Sequence, residues 1–400
     1  MTDTPSPPPA AFEHAKAEFL AGLACYQADD FARAEAHYEN SLRLWPGRPS
    51  TLINLAAAQL RLGHPLDALA NADAALVIEP ASADALLHRG SALAQLGRAI
   101  EALATFEHLT TLAPEHALAW SHRGSLLRES SRHAEAEAAF REAIRWGADP
   151  ELHRYYLAGL GAEGAPPAPP RDYVERLFDG YASDFEAHLL GSLGYCAHRE
   201  LLDRVRRCDD AARFHAALDL GCGTGLCGPL LRPLARHRTG LDLSAVMLER
   251  SRAGGAYDRL EQADATEFLT GTAERFDLVV AADVLIYIGD PGPLFAAVAR
   301  VMPQGLFAFS VEAADDADAG PGWHLLPSLR YAHSRAHLLR LAQANGFEPV
   351  LVEHAPVRHD QGRAIDGLYM VLRRAPAPAS LTRDERGRPR TGANPGGQWR

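Results

Sequence analysis

The sequence predicts two folds in one chain: an all-α helical array up to residue 160, then an α/β domain built on a mostly parallel, doubly wound sheet. Three observations predict this. Residue types recur every 34 positions between residues 15 and 150. From Ala216 onward, short apolar runs alternate with helical ones. A Pro-rich stretch, 161–170, separates the two patterns.

Length and composition bound the answer. The 400 residues exceed one ordinary domain. A net charge of −11 gives no basic field for nucleic acid or an anionic membrane, so neither partner is expected. The cysteines (25, 196, 208, 222 and 227) form no Cys-x-x-Cys pair, which points to reduced thiols and a cytoplasmic location. No apolar run approaches the ~20 residues of a membrane span. Residues 1–11 carry Pro5, Pro7, Pro8 and Pro9 rather than a basic then apolar leader, and are expected to be disordered.

The helical array comes first, over 12–160. Pro46, Pro80 and Pro114 are 34 residues apart, and so are Gly22, Ala56, Gly90 and Gly124. Ala34, Ala68, Ala102 and Ala136 repeat likewise. Tyr38, Phe106 and Phe140 share a large slot, which Ala72 breaks. Small residues let paired helices approach, the aromatic fills the gap, and proline ends the second helix. This pattern resembles the tetratricopeptide repeat (TPR), four units in phase over 15–150, as an all-α solenoid. Trp120 alone supplies the family's first tryptophan. The helix Glu151–Leu160, with Leu152, Tyr155, Tyr156 and Leu157, reads as the cap such stacks require. The resemblance implies a protein or peptide partner on the concave face; a spacer or dimerisation surface is the alternative. Asn54, Arg89 and Arg123 do not make an evident carboxylate clamp and read as solvated.

Residues 161–170 then read as a semi-rigid linker, and 171–373 as the second domain. Tyr173, Val174, Leu177 and Phe178, then Tyr181 and Phe185, mark amphipathic helices before the sheet. Strands are expected at 216–220, 238–242, 258–263, 276–281 and 306–309. Helices are expected near 226–236, from Ser244, over 294–301 and over 334–345. A closing antiparallel hairpin is expected from 347–353 and 367–373. The Pro-, Gly- and Arg-rich 374–400 reads as a disordered tail.

Asp219–Leu–Gly221–Cys–Gly223–Thr–Gly225 ends the first strand. Glycines there admit φ > 0 and close approach of a ligand to backbone. Acids recur after the next strands: Asp242, then Asp264 in Gln–Ala–Asp–Ala, then Asp283 in Ala–Ala–Asp–Val. Ligands of such sheets bind beyond the carboxyl ends of the strands, where these acids converge. Gly223–Thr–Gly225–Leu–Cys–Gly228 also fits Gly-x-Gly-x-x-Gly, with Asp242 19 residues after Gly223, so an NAD(P)-dependent oxidoreductase is an alternative. A pyrophosphate would be repelled by Asp219.

The Asp219–Gly225 segment resembles the first motif of class I S-adenosylmethionine (SAM) dependent methyltransferases, a Rossmann-like fold. With the repeats before it and Asp283–Val–Leu–Ile–Tyr287–Ile–Gly–Asp after it, the chain resembles bacterial TPR-containing predicted methyltransferases over 15–373. The resemblance implies SAM as methyl donor, S-adenosylhomocysteine (SAH) as product, and an acceptor it does not name. It implies that Gly221, Gly223 and Gly225 hold backbone against the methionyl moiety and that Asp219 orients that end. Asp242 would take the ribose hydroxyls, with Leu243 and Met247 near the adenosine. Asp264 would accept from the adenine amine and Ala265 supply an amide. Tyr181 would lie near the SAM carboxylate, and Asp283 near the transferred methyl.

Other readings stand beside these. Leu243 and Met247 also fit simple core, Asp264 a helix cap, and Tyr181 with Phe185 plain i, i+4 packing. Catalytic candidates are Asp283, Tyr287 and His333, with Trp323, His324, Tyr331 and His337 in the same post-strand segment. Packing and helix capping are the alternative for Tyr331 and His333. No carboxylate pattern accompanies His333 and His337, so no metal is expected. Cys222 and Cys227 read as small packing residues. A TPR adaptor with a non-catalytic SAM-binding domain is the alternative from outside enzymology.

Overall fold

A computed structural model of the chain describes residues 9–181, 195–208, 213–315, 321–360 and 362–376. The chain forms two compact units. One takes it up to Ala165 together with Pro327–Leu329; the other runs from Pro166 to Leu326 and from Arg330 onward.

The first unit is all-α. Its helices are α1 (Pro9–Gln27), α2 (Phe31–Leu44), α3 (Pro49–Leu62), α4 (Pro65–Ile78), α5 (Ala83–Gln95), α6 (Ala99–Leu112), α7 (Ala117–Glu129), α8 (His133–Arg145) and α9 (Pro150–Gly159). Consecutive helices pair, one pair per 34-residue period, and α9 follows as the cap. Helix begins at Pro9, inside the stretch expected to be disordered, because proline suits a first helical position.

The repeat slots have a steric cause. A Cβ on Gly22 would lie 2.7 Å from the Tyr38 ring, on Gly90 2.6 Å from Phe106, and on Gly124 2.5 Å from Phe140. Where the aromatic gives way to Ala72, the small residue grows to Ala56; both are fully buried. Arg89 and Arg123, expected to be solvated, instead pair with the preceding helix, Arg89 with Asp73 at 2.8 Å and Arg123 with Glu107 at 3.7 Å.

The second unit opens with α10 (Arg171–Tyr181) and α11 (Ala197–Cys208). Then come β1 (Phe214–Leu220), α12 (Gly228–Leu231), β2 (Ala235–Asp242), α13 (Ala245–Gly254), β3 (Arg259–Gln262), α14 (Ala265–Gly271) and β4 (Leu278–Ala281). A 3₁₀ turn (Leu285–Tyr287) leads to α15 (Gly292–Val301), β5 (Gly305–Ala314), β6 (Trp323–Leu325), β7 (Tyr331–Ser334), α16 (Arg335–Ala344), β8 (Glu348–Asp360) and β9 (Arg363–Arg374).

The strand order is β3-β2-β1-β4-β5-β7-β6, with β9 antiparallel to β5 and β8 antiparallel to β9. β1 to β5 and β7 pair in parallel. Leu201, Leu202 and Val205 of α11 pack on one face of the sheet; Leu294, Phe295 and Val298 of α15 pack on the other. The expected mostly parallel, doubly wound sheet with an antiparallel end is what forms.

Three details differ. The helix expected at 226–236 is only α12, because Pro233 cannot continue it, and β2 starts early at Ala235. The segment expected to carry catalytic groups is a small hairpin, β6–β7. The closing hairpin is far longer than expected. Among the described residues, no helix is long and apolar enough to cross a membrane.

Candidate active site

The carboxyl ends of β1, β2 and β4 open on a cavity of about 830 Å³, within the second unit. Gly221 and Gly223 line it with positive φ (60° and 54°). A Cβ on Gly221 would meet Val284 at 2.6 Å, so only glycine leaves room there. Gly225 also has positive φ, but it packs inward against Ser251 and is not part of the wall.

Asp242 ends β2 and lines the cavity. It accepts from the N–H of Gly223 (2.8 Å, Oδ2) and of Ser244 (2.9 Å, Oδ1), so the carboxylate is fixed to the glycine turn. Burial pushes its pKa up, against the pull of those N–H donors. Leu243 lies beside it on the wall. Ser244 caps α13 and donates to Asp179 of α10 at 2.6 Å, which ties that helix to this corner. Val174, Leu177 and Phe178 of α10 line the cavity. Tyr181 ends α10, and its side chain lies outside the described residues, as does Phe185.

Asp264 lines the cavity and also caps α14, its Oδ1 accepting from Thr266 (2.8 Å) and Glu267 (2.9 Å). The helix-cap reading holds, and the capping bonds engage Oδ1 alone. Ala265 follows on the wall.

Asp219 and Met247 are corrections. Asp219 is 1 % exposed and does not line the cavity; it accepts from the Tyr257 hydroxyl. Burial pushes its pKa up to about 7, with the Tyr257 hydrogen bond opposing and Asp242 adding. It braces the glycine turn from behind rather than meeting a ligand. Met247 is fully buried and off the wall, which makes it core.

Asp283 follows β4 with φ +61°, an uncommon backbone state for a non-glycine residue and a mark of constraint. Its N–H donates to Ser310 Oγ at 2.9 Å. Arg358 of β8 donates to both its oxygens, at 3.1 and 3.2 Å, and to Glu312 of β5. Arg358 and Glu312 are both buried. Tyr287 lines the cavity, its ring 5.3 Å from Phe178 edge-to-face and its side chain close to Arg330. Arg330, on the β6–β7 turn, also lines the cavity.

His333 is not on the wall. It is fully buried, with Nε2 2.8 Å from the Ile288 carbonyl, and burial pushes its pKa down to about 4. It braces the turn after Tyr287. Tyr331 donates to the Pro166 carbonyl at 2.9 Å. Trp323, His324 and His337 are also off the wall. Among the described residues, no group of three or more His, Cys, Asp or Glu is placed to hold a metal ion.

Sequence reasoning missed Arg330, Arg358 and Glu312, which carry no motif. It also missed His198, which lines the cavity stacked on Tyr195 at 5.2 Å. Finally, it took 161–170 as a plain linker. Pro167 to Pro169 form cavity wall, and the Pro167 carbonyl accepts from Gly289 (2.8 Å) and Asp290 (2.9 Å).

Comparison with known proteins agrees with this division. Residues 195–352 match a family model described as a methyltransferase domain. Residues 53–109 and 99–152 match a tetratricopeptide repeat model. The chain thus carries a methyltransferase domain and tetratricopeptide repeats. It is 31 % identical over 106 residues to nodulation protein S of Bradyrhizobium diazoefficiens, covering 26 % of this chain and 49 % of that protein. It is 35 % identical over 98 residues to the ubiquinone biosynthesis O-methyltransferase of Aromatoleum aromaticum, covering 23 % and 42 %. The chain therefore spans half or less of the length of these curated relatives. A solved structure of the Burkholderia thailandensis 1,6-didemethyltoxoflavin-N1-methyltransferase is similar with TM-score 0.41 and 21 % identity, over 53 % of this chain and 93 % of that one.

Proposed function

We propose that the second unit binds SAM in this cavity and methylates a protein or small-molecule acceptor, while the repeat array recruits a protein partner or the acceptor on its concave face. One observation carries the reading. A carboxylate, Asp242, is fixed by backbone N–H groups beside a cradle that a Cβ would fill. Such a carboxylate accepts from paired ribose hydroxyls, and the bare Gly221 and Gly223 backbone leaves room for the amino-acid end. Asp264 and the Ala265 amide suit the adenine edge. Leu243 supports the adenosine.

SAM would supply an electrophilic methyl on a cationic sulfur. Asp283 and Tyr287 lie on the wall after β4 and would face that end, with Arg358 holding Asp283 in place. The dinucleotide alternative fits less well. A pyrophosphate needs a helix N-terminus behind the glycine turn, and α12 is a single turn, Gly228–Leu231. The cavity wall offers it carboxylates instead.

Calorimetric titration of the whole chain with SAM, SAH and NAD tests this. SAM and SAH bind; NAD does not. Asp242→Ala weakens SAH at least about tenfold, since a hydrogen bond to a charged group contributes about 1.5–3 kcal/mol. Unchanged affinity in that variant, or binding of NAD instead, overturns the reading. SAH binding with no tritiated-methyl transfer to lysate proteins or metabolites would favour the adaptor.

A further inference from the structure

Resting on that reading of the site, we infer that the methyl acceptor is a small apolar or aromatic molecule bearing an acidic oxygen, and that Arg330 anchors this oxyanion in the cavity.

The first support is the state of the basic groups. None of the three predicted catalytic residues offers a free basic atom to the cavity. Both oxygens of Asp283 are held by Arg358. The Tyr287 hydroxyl is a phenol beside the Arg330 cation. His333 is buried against the Ile288 carbonyl. His198 reaches the wall, but its Nδ1 is closed off from solvent, and burial pushes its pKa down to about 4. An imidazole of such low basicity is a poor proton acceptor at neutral pH. An acceptor that arrives already deprotonated needs no base. Its oxygen lone pair forms the bond to the methyl carbon, the carbon–sulfur bond breaks with its pair left on sulfur, and no proton has to leave.

The second support is charge. Arg358 sits between Asp283 and Glu312, one cation for two carboxylates. Arg330 lies on the wall close to Asp283, Glu312 and Tyr287, so that these two carboxylates and two guanidiniums balance. A sulfonium added at this end leaves one positive charge over. An acceptor oxyanion cancels it. Arginine suits this duty, because its planar fork matches a carboxylate and remains charged when buried.

The third support is shape. Phe178 and Tyr287 form an edge-to-face pair on the wall, and Pro167, Pro169, Leu177 and Ile288 add apolar surface to the same cavity. The body of the acceptor is therefore apolar and flat enough to lie against rings.

The test uses the full chain saturated with a non-transferable SAM analogue that carries a protonated amine in place of the methyl sulfonium, and three monocyclic aromatic probes: benzoate, 4-nitrophenolate at pH 8, and neutral benzamide. Affinities are read by saturation-transfer NMR. At least one anion binds about tenfold or more tightly than benzamide, as loss of one charge-assisted hydrogen bond predicts. Benzoate winning identifies a carboxylate acceptor, and 4-nitrophenolate winning identifies a phenolate. Arg330→Gln abolishes the preference. Arg330→Lys keeps part of it, so a folding failure of the glutamine variant does not decide the matter. Equal binding of benzamide, absence of anion binding, or a preference that survives Arg330→Gln overturns the inference. Failure of the wild-type chain to take up the analogue, read before any probe is added, overturns the underlying site instead.

Discussion

Asp219 ends β1 with 1 % of its surface exposed and a hydroxyl partner, Tyr257. Its folded pKa, about 7, lies above the 3.8 of the free side chain, mainly through burial. The folded state therefore holds this proton more tightly than the unfolded state between those values. The resulting stability is complete below about pH 4 and is lost as pH rises through 7. Asp219→Asn abolishes that loss. Measured by urea unfolding, wild type minus variant falls by roughly 1 kcal/mol per pH unit across that window; a difference that stays flat from pH 4 to 7 sinks the prediction. Arg358 gives a second residue-scale outcome. Arg358→Met takes the hydrogen-bonded cation away from Asp283 and from the buried Glu312 and costs about 3–5 kcal/mol in the same assay. The chemistry at these positions was legible unevenly. Asp242, Asp264 and Asp283 follow successive parallel strands, so their convergence on the cavity was readable. The direction of Asp219 was not, because both faces of β1 are covered and Leu218, Asp219 and Leu220 are all buried. The same holds for His333 in β7, where every residue is buried. Arg358 and Arg330 have no local signal at all, since their partners are 75 and 43 positions away in sequence.

At the scale of elements, the helix pairs depend on one trade between neighbours. Gly90 faces Phe106 and Gly124 faces Phe140, at distances a Cβ cannot tolerate. Gly124→Ala places a methyl 2.5 Å from the Phe140 ring and destabilises by about 1–3 kcal/mol, less only the small helical gain of alanine. Gly124→Ala with Phe140→Leu recovers part of that loss, because Ala56 with Ala72 shows the slot accepting a smaller pair. A double mutant no more stable than the alanine variant in thermal melts would refute the trade. This element was legible because four copies repeat it in register. The elements around the cavity were legible only where they are long. α15 and the central strands carry clear apolar runs, whereas β6 and β7 are three and four residues, too short for any period to emerge. α12 was overdrawn because apolar residues continue past it, and the decisive signal, Pro233, was passed over.

For the whole molecule, the question is which part of the chain holds the site. Among the described residues, the cavity wall runs from Pro167 to Arg358, within the second unit. The wall nevertheless starts four residues before α10, in a stretch whose composition reads as a spacer. Pro167 lends its carbonyl to two successive N–H groups of the turn after Tyr287, and Pro166 lends its own to Tyr331. A Cβ on Gly289 would lie 2.8 Å from the Pro167 oxygen, so that turn is shaped to receive the strap. The strap thus belongs to the compact unit that carries the cavity, which starts at Pro166. Two truncations test this. Residues 166–400 bind SAH within about threefold of the full chain. Residues 171–400 lose three backbone or hydroxyl hydrogen bonds along with part of the wall, and at about 0.5–1.5 kcal/mol each they bind at least tenfold more weakly. Thermal melts of both fragments distinguish a weakened site from an unfolded one. Equal SAH affinity of two folded fragments would return 166–170 to the status of a spacer. Loss of affinity in both would mean that the array supports the site in a way the cavity wall does not display.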